Sequence, residues 1–352
     1  MTESPVRIGV VGLGWVGQAR HIPTISADPR FRLVGVADRN PDRIADFGHR
    51  RPDLRASCAS TIAQIDWVDE VDAISVATAP MAHHDLVCEA LARGLHVITE
   101  KPFAMSADEG RAMVAAAQLQ DRRLAVVHNF QFAGSMQRLR KDMADGRLGA
   151  IRSLRAVQLG NPSRRLPTWY EDLPLGLFYD ESPHLLYLLA SLAGPLELAR
   201  AVVVESRNGM ATPDQIDGWF RAAGADYPIT LSCNFVSTVS EWYLMVHGEA
   251  GLGIVDIFRD IYVLLPNDGG HATREVVRTS LAATWQHWWQ HLVSGVPHIL
   301  GRLRYGNDEV FRRFADAVRG DAARLAPIEG EAALRTLSLQ HDIIVNADRV
   351  KP

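Results

Sequence analysis

The sequence has very little cysteine. Its 352 residues include three cysteines, Cys58, Cys88 and Cys233, which lie far apart and form no C-x-x-C pair. An odd number at such spacings argues against both a disulfide framework and a cysteine metal site. The chain also lacks any apolar run near the ~20 residues that a membrane-spanning helix needs. Its first residues, MTESPVR, lack the basic and apolar segments of a signal peptide, so we expect a cytoplasmic protein.

Neither sign of charge is in large excess. The chain has 37 Lys and Arg against 41 Asp and Glu, for a formal net charge of -4. Without a strongly basic balance, we expect neither nucleic acid nor an anionic membrane as a partner. Internal repeats and low-complexity tracts are also missing. With 47% hydrophobic residues over this length, the chain can build two domains, each with its own core.

The most informative stretch is residues 7–17, RIGVVGLGWVG. It begins with a short apolar run bounded by glycine, which is typical of a buried parallel strand. A G-x-G-x-x-G pattern follows, whose glycines allow a tight turn, close approach of a pyrophosphate and close packing of a helix on the strand. The helix N-terminus would offer N–H groups to the phosphates. The predicted cofactor-binding residues here are Gly12, Leu13, Gly14, Trp15, Val16 and Gly17.

A second strand is predicted at 31–37 and ends at Asp38, 21 positions after Gly17. A carboxylate at this distance can accept hydrogen bonds from ribose hydroxyls and would repel a 2′-phosphate, which favours NAD over NADP. Arg39 leaves NADP possible, because a guanidinium can stack on adenine or pair with that phosphate. The alternative for Asp38 is a helix cap or turn residue ahead of Asn40-Pro41.

Strands and helices alternate through the first third of the chain, which predicts a doubly wound parallel sheet, an α/β Rossmann domain over residues 1–128. Its predicted helices include 14–26, 41–50, 84–93 and 107–120. Beyond about residue 151, several segments alternate apolar and polar residues without intervening helices, which predicts a mostly antiparallel sheet. A helix at 182–193 follows an irregular stretch, and the last ~50 residues are predicted to be helical. We therefore expect an α+β second domain over residues 129–352, for substrate binding and oligomerisation.

Five motifs together resemble the Gfo/Idh/MocA oxidoreductases, the family of glucose-fructose oxidoreductase and inositol dehydrogenase. They are the glycine turn, TAPMAHH, GLHVITEKP, GRLGAIRSL and GLFYDESPHLLYLL, and the terminal PIEGEAALRTLSLQHDIIVNA is similar to the family's closing helix. The resemblance covers nearly the whole chain. It implies a Rossmann domain followed by an open-faced β-sheet domain, with the nicotinamide between them and a sheet that often mediates oligomers.

The resemblance also implies the catalytic residues. Lys101 matches the lysine of the family's EKP motif, and Asp180 and His184 match its D-x-x-x-H pair. For the oxidation of a secondary alcohol, we expect His184 to take the hydroxyl proton, Asp180 to orient the imidazole or reach the substrate, and Lys101 to stabilise negative charge on the oxygen. The remaining predicted cofactor contacts of these motifs are Thr78, His83, Glu100 and Lys101. The alternatives are a loop lysine, an N-capping aspartate, and a capping or core histidine.

Other segments allow two interpretations. Asn129 and Gln131 stand where many relatives have asparagine followed shortly by arginine, so a contact made by that arginine is in doubt here. Residues 161–172 contain two arginines, Arg164 and Arg165, that could bind a phosphate or carboxylate. Trp169 or Tyr170 of the same segment could stack on a sugar. The alternative is that the segment is a solvated surface loop. The predicted substrate-binding residues are Lys101, Asn129, Gln131, Arg164, Trp169, Tyr170, Asp180 and His184.

A tryptophan-rich segment, TWQHWWQH, places Trp285, Trp288 and Trp289 on one helical face, for packing, a subunit contact or a substrate-covering flap. The histidine pairs His83-His84 and His287/His291 lack further ligands at supporting spacing, so no metal is predicted.

The sequence thus predicts an NAD(P)-dependent oxidoreductase acting on a sugar, sugar derivative or cyclitol, assembled as a homodimer or homotetramer. The alternatives are a non-catalytic NAD(P)-binding sensor or scaffold, and an enzyme that recycles a tightly bound cofactor between two substrates.

Overall fold

The computed structural model describes residues 4–301 and 303–352. The chain forms two compact units. The first comprises the residues up to Asn129 together with Asn307–Ser338, and the second comprises Phe130–Gly306 and Leu339–Pro352. In the described part of the chain, no helix is both long enough and apolar enough to cross a membrane.

The first unit is built on a six-stranded parallel sheet with the order β3-β2-β1-β4-β5-β6. Its strands are β1 (Val6–Val11), β2 (Phe31–Asp38), β3 (Arg55–Cys58), β4 (Ala73–Val76), β5 (His96–Thr99) and β6 (Leu124–Val126). The strand order reverses between β1 and β4, the position where doubly wound sheets bind ligands beyond the carboxyl ends of their strands. This confirms the predicted parallel, doubly wound sheet. The short polar strand β3 carried too little alternation to be predicted.

The helices of the first unit are α1 (Ile22–Ala27), α2 (Pro41–Arg50), α3 (His83–Ala92), α4 (Ala107–Leu119) and α8 (Asn307–Val318). Helix α2 has its predicted bounds because its start is encoded locally: the Asn40 side chain accepts the Asp42 N–H at 2.9 Å, and Pro41 stands at the first helical position. The helix predicted at 14–26 is present as continuous helical backbone over 15–27, and its middle turn, Gly17–His21, is π-helical before the chain continues as α1.

The segment 307–338 belongs to the first unit. The domain boundaries predicted from the sequence had placed all of 129–352 in the second domain. Phe311 of α8 is fully buried, and its ring packs edge-on against His21 at 5.2 Å and Phe31 at 6.1 Å between centroids. Glu329 bridges to Ala125 of the sheet edge. The apolar stripe of a helix shows that it packs on a core, but it does not say on which one, so this return of the chain had no sequence signal.

The second unit is built on an eight-stranded sheet with the order β13-β12-β11-β7-β10-β9-β8-β14. Its strands are β7 (Ile151–Leu159), β8 (Leu196–Val204), β9 (Gln215–Ala222), β10 (Ala225–Asn234), β11 (Glu241–Gly248), β12 (Gly251–Asp256), β13 (Ile261–Pro266) and β14 (Asp348–Val350). The pairs β7–β10 and β8–β14 are parallel and the other pairs are antiparallel, as predicted for a mostly antiparallel sheet. The accompanying helices are α5 (Gly134–Ala144), α6 (Leu177–Ala193) and α7 (Thr273–Ile299), and α9 (Gly330–Asn346) belongs to the first unit up to Ser338 and to the second from Leu339.

Helix α6 begins five residues before the predicted start at 182. The backbone turns at Gly176, whose φ is +53°, and the Leu177 N–H donates to the hydroxyl of Thr212 at 3.0 Å. Because the partner lies 35 residues away in the chain, no local pattern could locate this helix start. Asp180 is therefore in the first turn and His184 in the second.

Pro183 lies inside α6, which would leave the carbonyl of Tyr179 without its helical N–H partner. The buried side-chain amide of Gln340, from α9, donates to that carbonyl at 2.8 Å. The helix can therefore continue through the proline at little cost in hydrogen bonding.

Candidate functional site

The glycine turn after β1 has the shape that a dinucleotide needs. Gly12 has φ +105°, and a Cβ there would lie 2.5 Å from the carbonyl oxygen of Ala77. A Cβ on Gly17 would lie 2.0 Å from the carbonyl oxygen of Gly12. Gly14 is different, since a Cβ on it would meet no described atom within 4 Å. The protein's own packing thus requires two of the glycines, and the third leaves open space for a pyrophosphate.

The other residues of the turn form its walls. Leu13 is buried, whereas Trp15 is half exposed and the Arg20 guanidinium lies 5.0 Å from the centroid of its ring. Val16 is half-buried ahead of the π-helical turn. We retain the prediction that these residues contact the cofactor.

Asp38 is buried at the end of β2, and its carboxylate faces the glycine turn. One oxygen accepts the Leu13 N–H at 2.7 Å, and the other accepts the Asn40 N–H at 2.8 Å. The N-cap of α2 is Asn40, so Asp38 is not the helix cap, but its bond to the Asn40 N–H, two residues on, is that of a turn residue, as the alternative interpretation allowed. The ribose contact of Asp38 stays a prediction. Arg43 lies 3.5 Å from the same carboxylate, while Arg39 is exposed. The Asp38 oxygen that bonds to the Asn40 N–H can accept a second hydrogen bond, which keeps the ribose contact chemically available.

A buried polar cluster holds Glu100 in place. His21 contacts the Ser75 hydroxyl with Nδ1 at 2.7 Å and Glu100 Oε1 with Nε2 at 2.8 Å. Burial by itself would raise the pKa of Glu100, but the hydrogen bond with His21, together with the charge and backbone N–H of Lys101, outweighs it, so the pKa lies below its ordinary value. Glu100 is therefore an ionised carboxylate, and its second oxygen accepts the Lys101 backbone N–H at 3.1 Å. The cluster fixes the backbone that carries Lys101.

Sequence reasoning missed His21 altogether. It lies one helical turn after Gly17, and its partner Glu100 is 79 residues away, so only the folded sheet brings them together. Lys101 itself is half-buried, and its bond to Pro102 is cis.

His83 joins two loops of the first unit. It is fully buried, and its ring nitrogens lie 2.8 Å from the carbonyl oxygen of Pro102 and 3.2 Å from that of Thr78. Burial lowers the pKa of His83, so the imidazole is neutral and donates to one carbonyl at a time. The buried Thr78 hydroxyl has no hydrogen-bond partner among the described residues. An orphaned hydroxyl after β4, beside the strand-order reversal, fits a polar ligand group bound there.

In the second unit, Asp180 and His184 share one face of α6, and both are more than nine-tenths buried. The His184 Nδ1 atom lies 2.8 Å from the hydroxyl of Tyr187, which also accepts the Phe130 N–H at 3.1 Å. The imidazole packs edge-on against Phe130 at 4.7 Å and at a tilt against Trp242 at 5.6 Å between centroids. These contacts set the rotamer of His184. Tyr187 is a second residue that sequence reasoning missed, although its i+3 spacing from His184 was a usable signal.

Lys101 belongs to the first unit and the Asp180/His184 pair to the second, so their common action on one substrate atom stays a prediction. Asn129 belongs to the first unit and Gln131 to the second, and both side chains are buried. Their contact with a substrate also stays a prediction. The Gln131 carbonyl accepts a hydrogen bond from the Arg140 guanidinium.

Arg164 has a structural partner. Its guanidinium pairs with Glu181, the residue next to Asp180, and Glu181 also accepts from the Gln158 side chain. Trp169 and Tyr170 are half-buried in the same loop, and Tyr170 packs against the core of the second unit. The ion pair compensates the charge of Arg164 within the protein. Substrate contacts by these loop residues stay predictions. Among the described residues, no group of three or more His, Cys, Asp or Glu side chains could hold a metal ion.

Two models of one protein family match this chain. The first, an oxidoreductase family with an NAD-binding Rossmann fold, matches residues 6–128. The second, the C-terminal domain of the same GFO/IDH/MocA family, matches residues 136–252. Together the two matches cover well over half of the chain.

The chain is similar to several known proteins. It is 30% identical over 155 residues to dTDP-3,4-didehydro-2,6-dideoxy-alpha-D-glucose 3-reductase of Actinomadura kijaniata, a match that spans only 44% of this chain and 45% of that protein. Inositol 2-dehydrogenase of Rhizobium meliloti is 25% identical over 272 residues, or 76% and 80% of the two chains.

A solved structure, the WlbA dehydrogenase from Bordetella pertussis in complex with NADH and UDP-GlcNAcA, superposes with a TM-score of 0.77. It is 21% identical, with 99% of this chain and 96% of that chain covered, and the likeness shows a shared fold. With both family models matched in order, this chain belongs to the Gfo/Idh/MocA oxidoreductase family, an NAD-binding Rossmann domain followed by the family's C-terminal domain.

Proposed function

We propose that this protein is an NAD(P)-dependent oxidoreductase that transfers a hydride between nicotinamide and a secondary hydroxyl or ketone of a sugar, sugar derivative or cyclitol. The observation that carries the proposal is His184, buried on α6 one turn after Asp180 with its ring oriented by Tyr187. The family match supplies the context, and the named relatives with sugar-nucleotide and inositol activities support the substrate class.

The cofactor site of the proposal is the switch point of the first unit. The pyrophosphate would lie over Gly14, where a side chain is absent and the first helical N–H groups are near. Asp38 would accept the adenosine ribose hydroxyls, and its negative charge favours NAD over NADP. When bound, the nicotinamide accepts or returns the hydride, and the protein supplies position and proton transfer.

In this proposal, His184 transfers the proton of the substrate hydroxyl. Because Nδ1 faces the Tyr187 hydroxyl, we assign Nε2 to the substrate oxygen. A neutral imidazole takes the hydroxyl proton during oxidation, and the imidazolium returns it during reduction. The Tyr187 hydroxyl can accept from Nδ1–H or donate to bare Nδ1, so it supports either tautomer of the neutral ring.

Two further side chains would act on the same oxygen. The Lys101 ammonium would stabilise the negative charge that develops there, and the cluster of His21 and Glu100 holds the Lys101 backbone in place for that purpose. Asp180, four residues before His184, would orient the substrate hydroxyl or the imidazole.

The test is an absorbance assay at the NADH band with a panel of sugars, nucleotide sugars and inositols. For an accepted substrate, we expect His184→Ala to lower kcat by about 100-fold or more, the usual contribution of a general base, while NADH binding is nearly unchanged. His247→Ala is the matched control, because His247 is an exposed histidine of the same unit. Unchanged turnover in His184→Ala would remove this residue from the mechanism.

A further inference from the structure

Helix α7 lies beyond residue 252, where the second family match ends, so the family resemblance assigns it no role. One face of α7 is bound to the edge strand β13 through two glutamines. The Gln286 side chain accepts from the Leu264 N–H and donates to the Leu264 carbonyl, both at 3.0 Å. Gln290 accepts the Tyr262 N–H at 2.8 Å and donates to the Tyr262 carbonyl. These amides occupy the outward backbone groups of β13, so another strand cannot pair with the sheet at these residues.

The opposite face of α7 is apolar and exposed. Leu281, Trp285, Trp288, Leu292, Val296 and Ile299 are between 45% and 84% exposed. Their spacing of three and four residues places them along one line of the helix, which we call the α7 stripe. Three- and four-residue spacing is also the pattern with which two helices pack side by side.

The α7 stripe is larger than the apolar patches that isolated proteins usually expose. With these exposures its side chains present on the order of 800 Å² of apolar surface, which is about what each partner contributes to a stable protein interface. From Thr279 to Gly301 the sequence contains no Asp, Glu, Lys or Arg. Two copies of such a surface can meet across a two-fold axis without repulsion between like charges.

We propose that the α7 stripe is a self-association surface, on which α7 of a second copy of this chain packs. The area, the helix-pairing pattern and the absence of charge all fit a partner with the same surface. The glutamine face anchors each helix to its own sheet, so the helix is held in place before the partner arrives. This assembly does not depend on the proposed enzymatic activity.

The experiment is light scattering and sedimentation equilibrium across a range of protein concentrations. We expect the wild-type chain to be a dimer or a larger even assembly, and Trp288→Glu and Leu292→Asp each to weaken self-association by about 100-fold or more, since each change falls twice in a symmetric interface. Leu119→Glu is the control, because Leu119 is 83% exposed but lies in the first unit. Circular dichroism verifies that each variant is folded.

A measurement on the wild-type chain alone complements the variants. Hydrogen exchange along α7 should slow as the protein concentration rises through the association range. A monomer at all concentrations, or stripe variants that keep the wild-type mass, would overturn the proposal. A monomer that floats with phosphatidylcholine–phosphatidylglycerol vesicles through this stripe would also overturn it, because the partner would then be a membrane.

Discussion

The Tyr187 hydroxyl lies 2.8 Å from Nδ1 of His184 and at the same time accepts the backbone N–H of Phe130 at 3.1 Å. The proposed proton-transfer residue is therefore oriented by a side chain that is itself anchored to the backbone. When His184 is protonated, both ring nitrogens must donate, and the Tyr187 oxygen is the acceptor for Nδ1–H.

Replacing Tyr187 with Phe should change the pH profile of the reaction. The Nδ1–H of the buried imidazolium would lose the Tyr187 hydroxyl as an acceptor, which disfavours the charged ring relative to the wild-type protein. We expect the limb of the kcat/KM profile that reports His184 to move to lower pH, with cofactor affinity preserved. Tyr179→Phe is the control, since Tyr179 is on the same helix but its hydroxyl contacts His341 at 3.0 Å. If the pH profiles of kcat/KM for Tyr187→Phe and Tyr179→Phe coincide, Tyr187 has a merely structural role.

The hydrogen bond between His21 and Glu100 should contribute to stability in a pH-dependent way. His21→Phe keeps the ring that packs against Phe311 but leaves the buried Glu100 carboxylate without this partner, at a cost of about 2–3 kcal/mol in the free energy of unfolding at pH 7. The double variant with Glu100→Gln should recover part of that loss, which a double-mutant cycle measures.

The sign of the pH effect follows from the lowered pKa of Glu100 in the folded protein. In the wild-type chain, this stabilisation is fully present above the ordinary carboxyl pKa of 4.5 and is lost as the pH falls through the lowered folded value. In His21→Phe, the pKa of Glu100 should rise, so the carboxylate takes a proton sooner and the deficit relative to wild type shrinks from pH 7 to pH 5. Urea unfolding at both pH values tests this, and a deficit that does not change with pH would contradict it.

Asp38 should set the cofactor preference. In Asp38→Asn the charge that repels a 2′-phosphate is gone while an acceptor for the Leu13 N–H remains, so the binding ratio of NADP to NAD should rise at least about tenfold. Fluorescence titration with both reduced cofactors measures it. Asp42→Asn is the control, because Asp42 is an exposed carboxylate in the first turn of the adjacent helix. A wild-type protein that binds NADP as tightly as NAD would refute the preference.

The sequence alone determined the features that depend on neighbouring residues. The spacing of Gly12, Gly14 and Gly17 predicted the turn, since steric limits on the backbone act within a few residues. The bounds of α2 could be predicted because Asn40 and Pro41 encode its start locally. The four-residue spacing of Asp180 and His184 predicted a shared helix face on the condition that one helix holds both, and the predicted start at 182 left Asp180 outside that helix.

Only the tertiary structure decided which distant side chains support those features. Thr212 starts α6, Gln340 satisfies the carbonyl that Pro183 leaves open, His21 reaches Glu100, and α8 returns to the first sheet through Phe311. Each of these contacts joins residues that are distant in the chain, and Gln340 and Tyr179, for example, are 161 positions apart. Local rules of hydrogen bonding and apolar spacing state that a partner is needed, but the partner itself is selected by packing over the whole unit.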